Sequence, residues 1–413
     1  MKLDARHASA LGLLAAVSLG VSAARAQAPG QAAPSASSLA NATAPAREVD
    51  RPLAPPAVTA PPIGPNAPAF TLGDGPPLPE RPFSMTKYDP AFDELIAPDA
   101  TLELINDDFG LTEGGVWVPE GNSGYVVVVD MLANCMYKVA PDNTVSLFLY
   151  KAGYSGKDVL HAGIQTRRGR THALLIGPQA VTRDPQGRLV WTAANDGAIM
   201  RLEADGTTRT ILANNYQGKR FNGPNDLVVR SDGAIFFTDV DTGLRDGKLS
   251  PLKELPHTGV YLVKDDRVTL LLDEKQLGGS PNGIAISADE KYLYLTSGQS
   301  RMMRYEVKPD GTLGAGGLFS EGPGIGDGIK VDTKGNIWST GGAGPGEIRV
   351  LAPDGKLLGM IHIPLWFREP KREINALNVT FGDPDGKTLY ISAGEAMFKL
   401  RLKTAGIQPG PAK

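Results

Sequence analysis

The chain has 413 residues, a net charge of −3 and no basic block, which argues against a nucleic-acid partner. Its one cysteine, Cys135, rules out an intrachain disulfide; set in an apolar strand pattern, it reads as a buried inert thiol rather than a nucleophile.

From the start of the chain, residues 1–26 read as a secretory signal. Lys2 and Arg6 give a basic start, Ala8 to Ala24 is too short and too weakly apolar to span a bilayer, and Ala24-Arg25-Ala26 is an A-x-A cleavage site. This reading places the protein in the periplasm or outside the cell; the alternative for the segment is a membrane anchor. No other stretch is long and apolar enough to span. Residues 27–82 hold fourteen of the 33 prolines, interleaved with Ala and Ser, and read as a disordered or extended linker. Residues 83–406 read as one globular domain, followed by a short C-terminal tail, 407–413.

Within the domain a unit repeats. Six β-rich runs follow tight turns: Tyr125–Asp130, Leu189–Ala193, Ala234–Asp239, Tyr292–Ser297, Asn336–Gly341 and Thr388–Ala393. They are spaced roughly 45 to 65 residues apart, in the range of propeller blades. A second run follows each: Cys135–Val139, Ile199–Leu202, Gly259–Val263, Met302–Val307, Glu347–Leu351 and Met397–Leu400. An outer run follows in most units, such as Thr144–Leu149 and Val268–Leu272. The last unit runs out of chain after its third strand, and Thr101–Ile105, ahead of the first unit, is the expected replacement, which would cover an open sheet edge. Helical periodicity is nearly absent. The expected fold is all-β: a six-bladed β-propeller with four-stranded blades.

Counting back eight residues from the turn positions Gly121, Gly187, Gly233, Glu290, Gly335 and Gly386 gives Glu113, Gln179, Asn225, Asn282, Asp327 and Asn378. All six are carboxylates or carboxamides. Innermost strands line a propeller's channel, so equivalent positions form a ring around the axis. Carboxylates there need a cation, and oxygen donors without His or Cys favour a hard ion such as Ca²⁺, with Zn²⁺, Mn²⁺ or Fe²⁺ as alternatives. A channel filled by ordered water and hydrogen-bonded amides is the other reading.

Several segments carry a family resemblance: Glu113-Gly-Gly-Val-Trp117, Arg220-Phe-Asn-Gly-Pro-Asn-Asp-Leu227, Ser231 to Asp239, Ser280-Pro-Asn-Gly-Ile-Ala-Ile-Ser287, and Gly326-Asp-Gly-Ile-Lys-Val-Asp332 with Gly335-Asn-Ile-Trp338. From about Asp89 to the last blade the chain resembles the gluconolactonase family, which includes senescence marker protein and the luciferin-regenerating enzyme. The resemblance implies one catalytic divalent metal ion on the axis, held by Glu113, Asn225, Asn282 and Asp327. It leaves Gln179 and Asn378 as substrate-pocket residues or supports for the ligands. It also implies a hydrolase that opens a small-molecule sugar lactone. Of the ring residues, Asp327 is the expected base that activates water, because a carboxylate is basic and an amide is not, with Glu113 as its rival.

Three departures from the family pattern fall in the second blade: Gln179 for the more usual Asn, Ala194-Asn-Asp-Gly197 for a Glu-His-Gly turn, and a longer Lys157–Ile176 segment. They bear on the choice of substrate. Gly115 stands where the family usually has Pro. Asp226 is a candidate for orienting its neighbour Asn225 or meeting substrate. Lys330, by strand alternation from Asp327, is expected to point away from the channel. His161, His172, His257 and Trp366 are placed near the channel mouth, and Trp117, Trp191 and Trp338 in the core. The competing functions are an arylesterase or phosphotriesterase on the same scaffold, a binding propeller without chemistry, and a condensing enzyme similar to strictosidine synthase.

Overall fold

A computed structural model describes residues 82–157, 164–167, 170–245, 247–297, 300–341, 346–364 and 376–411. The expected signal segment, nearly all of the linker, His161, Trp366 and the side chain of His172 lie outside the described residues.

Six antiparallel sheets follow one another around a ring. From the axis outward, blade one comprises Thr112–Glu120, Ser123–Asp130, Cys135–Val139 and Val145–Tyr150. Blade two comprises Val181–Arg183, Leu189–Ala193, Ala198–Leu202 and Arg209–Ala213, and blade three Pro224–Val229, Ile235–Asp239, Gly259–Lys264 and Arg267–Asp273. Blade four comprises Pro281–Ile286, Tyr292–Ser297, Arg301–Val307 and Leu313–Glu321, and blade five Ile329–Val331, Ile337–Thr340, Glu347–Leu351 and Leu357–His362. Blade six takes Asn378–Gly382, Thr388–Ala393 and Ala396–Arg401 from the end of the domain and Leu102–Asn106 from its beginning. Each innermost strand touches the innermost strands on both sides, and blade six touches blade one. The ring is closed.

The sequence explains the packing. In Tyr125–Asp130 the valines are buried on both faces, because a blade has a neighbour on each side. Val127 and Val129 pack toward blade two with Trp191, while Val126 and Val128 pack the other way with Tyr390 and Met397 of blade six. Trp117, Trp191 and Trp338 are at most 1% exposed, and Cys135 is buried, as the patterning predicts.

The closure is the one expected, with Leu102 paired to Leu400 and Leu104 to Phe398. Two additions were not foreseen. Ser84–Lys87 adds a fifth strand outside blade five, pairing with Gly359–His362, and the turn after it seats Phe92 against Gly359. Second, the terminal segment docks across the far end of the channel. Ile407 N–H donates to Val331 of blade five, and Gln408 Nε2 to the Asp383 carbonyl of blade six. Gly410 lies against Arg183 of blade two.

The extra length in blade two forms a hairpin, Ile164–Arg167 with Arg170–Leu174. Among the described residues no helix is long and apolar enough to cross a membrane.

Candidate active site in the central channel

The turn positions used to align the repeats share one backbone state. Gly121, Gly187, Gly233, Glu290, Gly335 and Gly386 all have φ between 57° and 88°. This left-handed region suits glycine, and Glu290 is the exception in residue type only. A common turn fixes a common register, so the six residues eight positions earlier stand at equivalent points around the axis.

They are not equally accessible. Glu113, Gln179 and Asn378 are 7%, 4% and 1% exposed. Asn225, Asn282 and Asp327, on the consecutive blades three, four and five, are each part-exposed. This trio forms the open side of the ring.

The two remaining carboxamides are committed to neighbours. Gln179 Oε1 accepts from Asn225 Nδ2, and Gln179 Nε2 donates to Thr242 Oγ1 at 3.2 Å. Asn378 Nδ2 donates to Glu113 Oε1 at 3.4 Å, while its Oδ1 accepts from Val379 N–H at 2.9 Å and from Lys330 Nζ at 3.2 Å. Fixing the nitrogen of Asn225 on Gln179 leaves Asn225 Oδ1 to face elsewhere, which is what an oxygen donor to a cation requires.

The backbone under the ring is held by hydroxyls on the second strands. Thr192 Oγ1 donates to the Asn225 carbonyl at 2.8 Å, Thr238 Oγ1 to Asn282 at 2.7 Å, and Thr296 Oγ1 to Asp327 at 2.8 Å. Thr340 Oγ1 donates to Leu377, just before Asn378, at 2.6 Å. Three of these hydroxyls also accept an N–H within their own blade: Ala180 N–H to Thr192, Asp226 N–H to Thr238 and Gly283 N–H to Thr296. Each such threonine therefore ties one ring position to the next. In blade one the residue one before the end of the second strand is Val129, which carries no hydroxyl, and Gly114 N–H donates straight to the Gln179 carbonyl at 3.1 Å. Sequence reasoning missed this belt, although Thr192, Thr238, Thr296 and Thr340 stand one residue before the end of four of the six runs it used.

Close approach is part of the design. Gly341, at φ 83°, leaves no room for a side chain; a Cβ there would sit 2.6 Å from that of Asp327.

Lys330 does not point away from the channel. Its ammonium reaches Asn378 Oδ1 and the Ile329 carbonyl. Alternation counted from Asp327 fails because ring residues precede the regular ladder. Register breaks fall between Thr112 and Gly115, Pro224 and Leu227, and Pro281 and Ile284, and blade five pairs regularly only from Ile329. Asp226 is 4% exposed and accepts from Leu227 N–H at 2.8 Å and from Ile284 N–H of blade four at 3.2 Å. Burial pushes its carboxyl up, opposed first by the nearby Lys330 ammonium. His257 is half-buried beside Tyr261, its Nδ1 3.5 Å from the phenol oxygen.

The donor set fits a hard divalent cation. Two carboxylates and two carboxamides supply oxygen only, and the amide nitrogen of Asn225 is turned to a neighbour. Among the described residues no three His, Cys, Asp or Glu gather at one point, consistent with a site completed by amides.

The sequence matches the SMP-30/Gluconolactonase/LRE-like region over residues 111–395, most of the propeller. The chain belongs to that family. It is similar to a gluconolactonase of Zymomonas mobilis subsp. mobilis, with 33% identity over 78% of this chain and 87% of that protein. A solved gluconolactonase from Xanthomonas campestris shares the fold at a TM-score of 0.61, with 29% identity over 80% of this chain and 99% of that one. A pentonolactonase of Haloferax volcanii is 32% identical over 41% of this chain and 52% of that protein. The resemblance seen in the motifs is therefore borne out for the family.

Proposed function

We propose that the protein is a carboxylic-ester hydrolase that opens the ring of a sugar lactone, with one divalent ion held by Glu113, Asn225, Asn282 and Asp327. The observation that carries this reading is the ring itself. Four oxygen donors of the family motif share one offset from the left-handed turn of their blades, and three of them are part-exposed. The relatives named gluconolactonase and pentonolactonase support lactones as the substrate class.

A divalent ion bound there supplies Lewis acidity toward a carbonyl oxygen. The chain's own residues do the rest. Asp327 takes a proton from the water that attacks the lactone carbonyl carbon. As the ring C–O bond breaks, that proton passes to the leaving oxygen, giving a hydroxy acid. Asp327 is assigned this role because a carboxylate is basic and an amide is not, and Thr296 fixes its backbone. Glu113 is the second carboxylate and is steadied by Asn378. Gln179, Asn378 and Asp226 are assigned to support, since their polar atoms are engaged within the protein. Ca²⁺ is the first ion to try, then Zn²⁺, Mn²⁺ and Fe²⁺. Export to the periplasm or beyond belongs to the same proposal, on the strength of residues 1–26.

The test is to strip the protein with chelator and restore single metals. Acid release is then followed from sugar lactones, an aryl lactone and a phosphotriester. Acid release from the lactones alone, restored by one metal, is the expected result. No turnover with any metal overturns the enzymatic reading, and turnover confined to the phosphotriester overturns the substrate class.

A further inference from the structure

The Asn225 amide is held by Gln179, and Gln179 is held in turn by a residue outside the ring. Gln179 Nε2 donates to Thr242 Oγ1 at 3.2 Å, while its Oε1 accepts from Asn225 Nδ2. Thr242 sits in the short turn Asp241–Gly243, between the second and third strands of blade three. Gln179 leads into the inner strand of blade two, so the contact joins two blades.

The turn is a firm base for that hydroxyl. Val240 N–H donates to the Gly223 carbonyl at 3.0 Å, and Asn195 Nδ2 of blade two donates to the Gly243 carbonyl at 3.1 Å. Lys253 pairs with Asp241. A Cβ at Gly243 would come within 2.5 Å of the Ala194 carbonyl oxygen and 2.6 Å of Gly223 Cα, so the backbone is packed there from both blades. A hydroxyl donates as well as accepts, so it can meet either end of a carboxamide. What Thr242 fixes is where the Gln179 carboxamide stands. At 4% exposure Gln179 has little water to turn to, and its reach toward Asn225 depends on that anchor.

We propose that Thr242 is a positioning residue: it anchors the Gln179 carboxamide, which holds Nδ2 of Asn225 and leaves its Oδ1 to a cation on the axis. It acts through Gln179 and is assigned no contact with substrate. The effect on a cation rests on the ring being a metal site; the anchoring of Gln179 does not.

The experiment uses the full chain, stripped of metal. Wild type, Thr242→Val, Thr242→Ser, Gln179→Ala and the Thr242→Val/Gln179→Ala double variant are melted without metal and then titrated with CaCl2 by calorimetry. Thr242→Val keeps the shape of the side chain and removes the acceptor, so Ca²⁺ affinity is expected to fall roughly threefold to tenfold, and Thr242→Ser is expected to restore it. In the metal-free protein Thr242→Val leaves a buried N–H without its partner and is expected to melt roughly 2–4 °C lower. Both losses are expected to vanish when Gln179 is already alanine, because Thr242 acts through that residue. Wild-type affinity in Thr242→Val overturns the positioning role, and so does an undiminished loss of affinity on the Gln179→Ala background. Should the wild type take up no Ca²⁺, the metal reading of the ring fails and melting alone decides the anchor. A melting loss in Thr242→Val that Gln179→Ala cancels then upholds it, and a loss that persists, or no loss, overturns it.

Discussion

Blades three to five and the junction of blades six, one and two position their ring residues by different means. On the first side the means is backbone. Thr192, Thr238 and Thr296 fix the carbonyls of Asn225, Asn282 and Asp327, so these residues inherit the rigidity of the sheets. At the junction Val129 takes the place of a hydroxyl, and side chains do more. Asn378 holds Glu113, and Gln179 bridges Asn225 and Thr242. A ring of nominally equivalent positions thus divides into a sheet-anchored half and a side-chain-anchored half. Changes to the anchoring hydroxyls of the first should damage stability, and changes to the anchoring side chains of the second should damage binding.

The largest expected effect lies on the anchored half. Asp327→Asn keeps shape and loses basicity, so turnover should fall roughly a hundredfold or more in an acid-release assay. Full turnover with metal retained would remove Asp327 from the chemistry. Next comes Thr296→Val, which leaves the Asp327 carbonyl and Gly283 N–H without their partner. It should cost roughly 1–3 kcal/mol, a fall of several degrees in melting temperature, with Thr296→Ser recovering most of it. A smaller effect of another kind is expected at the junction. Gln179→Ala frees the Asn225 amide and should weaken metal binding roughly tenfold, with little change in melting. An equal loss of stability in Gln179→Ala and Thr296→Val would dissolve the distinction.

The smallest effect concerns Asp239, which accepts from Asn222 and Gly223 N–H on the way into the inner strand of blade three. Burial pushes its carboxyl up to about 7. A folded value above the unfolded one means that its contribution is fully present below the usual carboxylate range and is lost as pH rises toward 7. Melting temperature followed from pH 4 to 7.5 should therefore slope less in Asp239→Asn than in the wild type. Parallel curves would show that Asp239 does not titrate there.

Much of this architecture is written in local pattern. Runs such as Leu189–Ala193 and Tyr292–Ser297 are strands with the bounds expected, because turn chemistry and two-sided burial both mark them. The ring was legible for the same reason: a left-handed turn residue marks each repeat, and eight residues separate it from the axis. Lys330 was misplaced because alternation cannot be counted through a break in register, and the break leaves no compositional trace. Ser84–Lys87 and the docked 407–411 segment were missed because their partners are distant in sequence and their own residues are unremarkable for a strand or a plug. The threonine belt was visible as letters but not as a function. A Thr in a strand normally signals propensity, and only the blade-to-blade geometry shows what its hydroxyl holds.

In the proposed function Glu113, Asn225, Asn282 and Asp327 together hold one divalent ion on the propeller axis. Calorimetric titration of the metal-stripped full chain with Ca²⁺, beside a Glu113→Gln/Asp327→Asn double variant, tests it most directly. One ion per chain is expected in the wild type and no binding in the double variant. Binding that survives in the double variant, or a wild type that takes up no divalent ion, would contradict it.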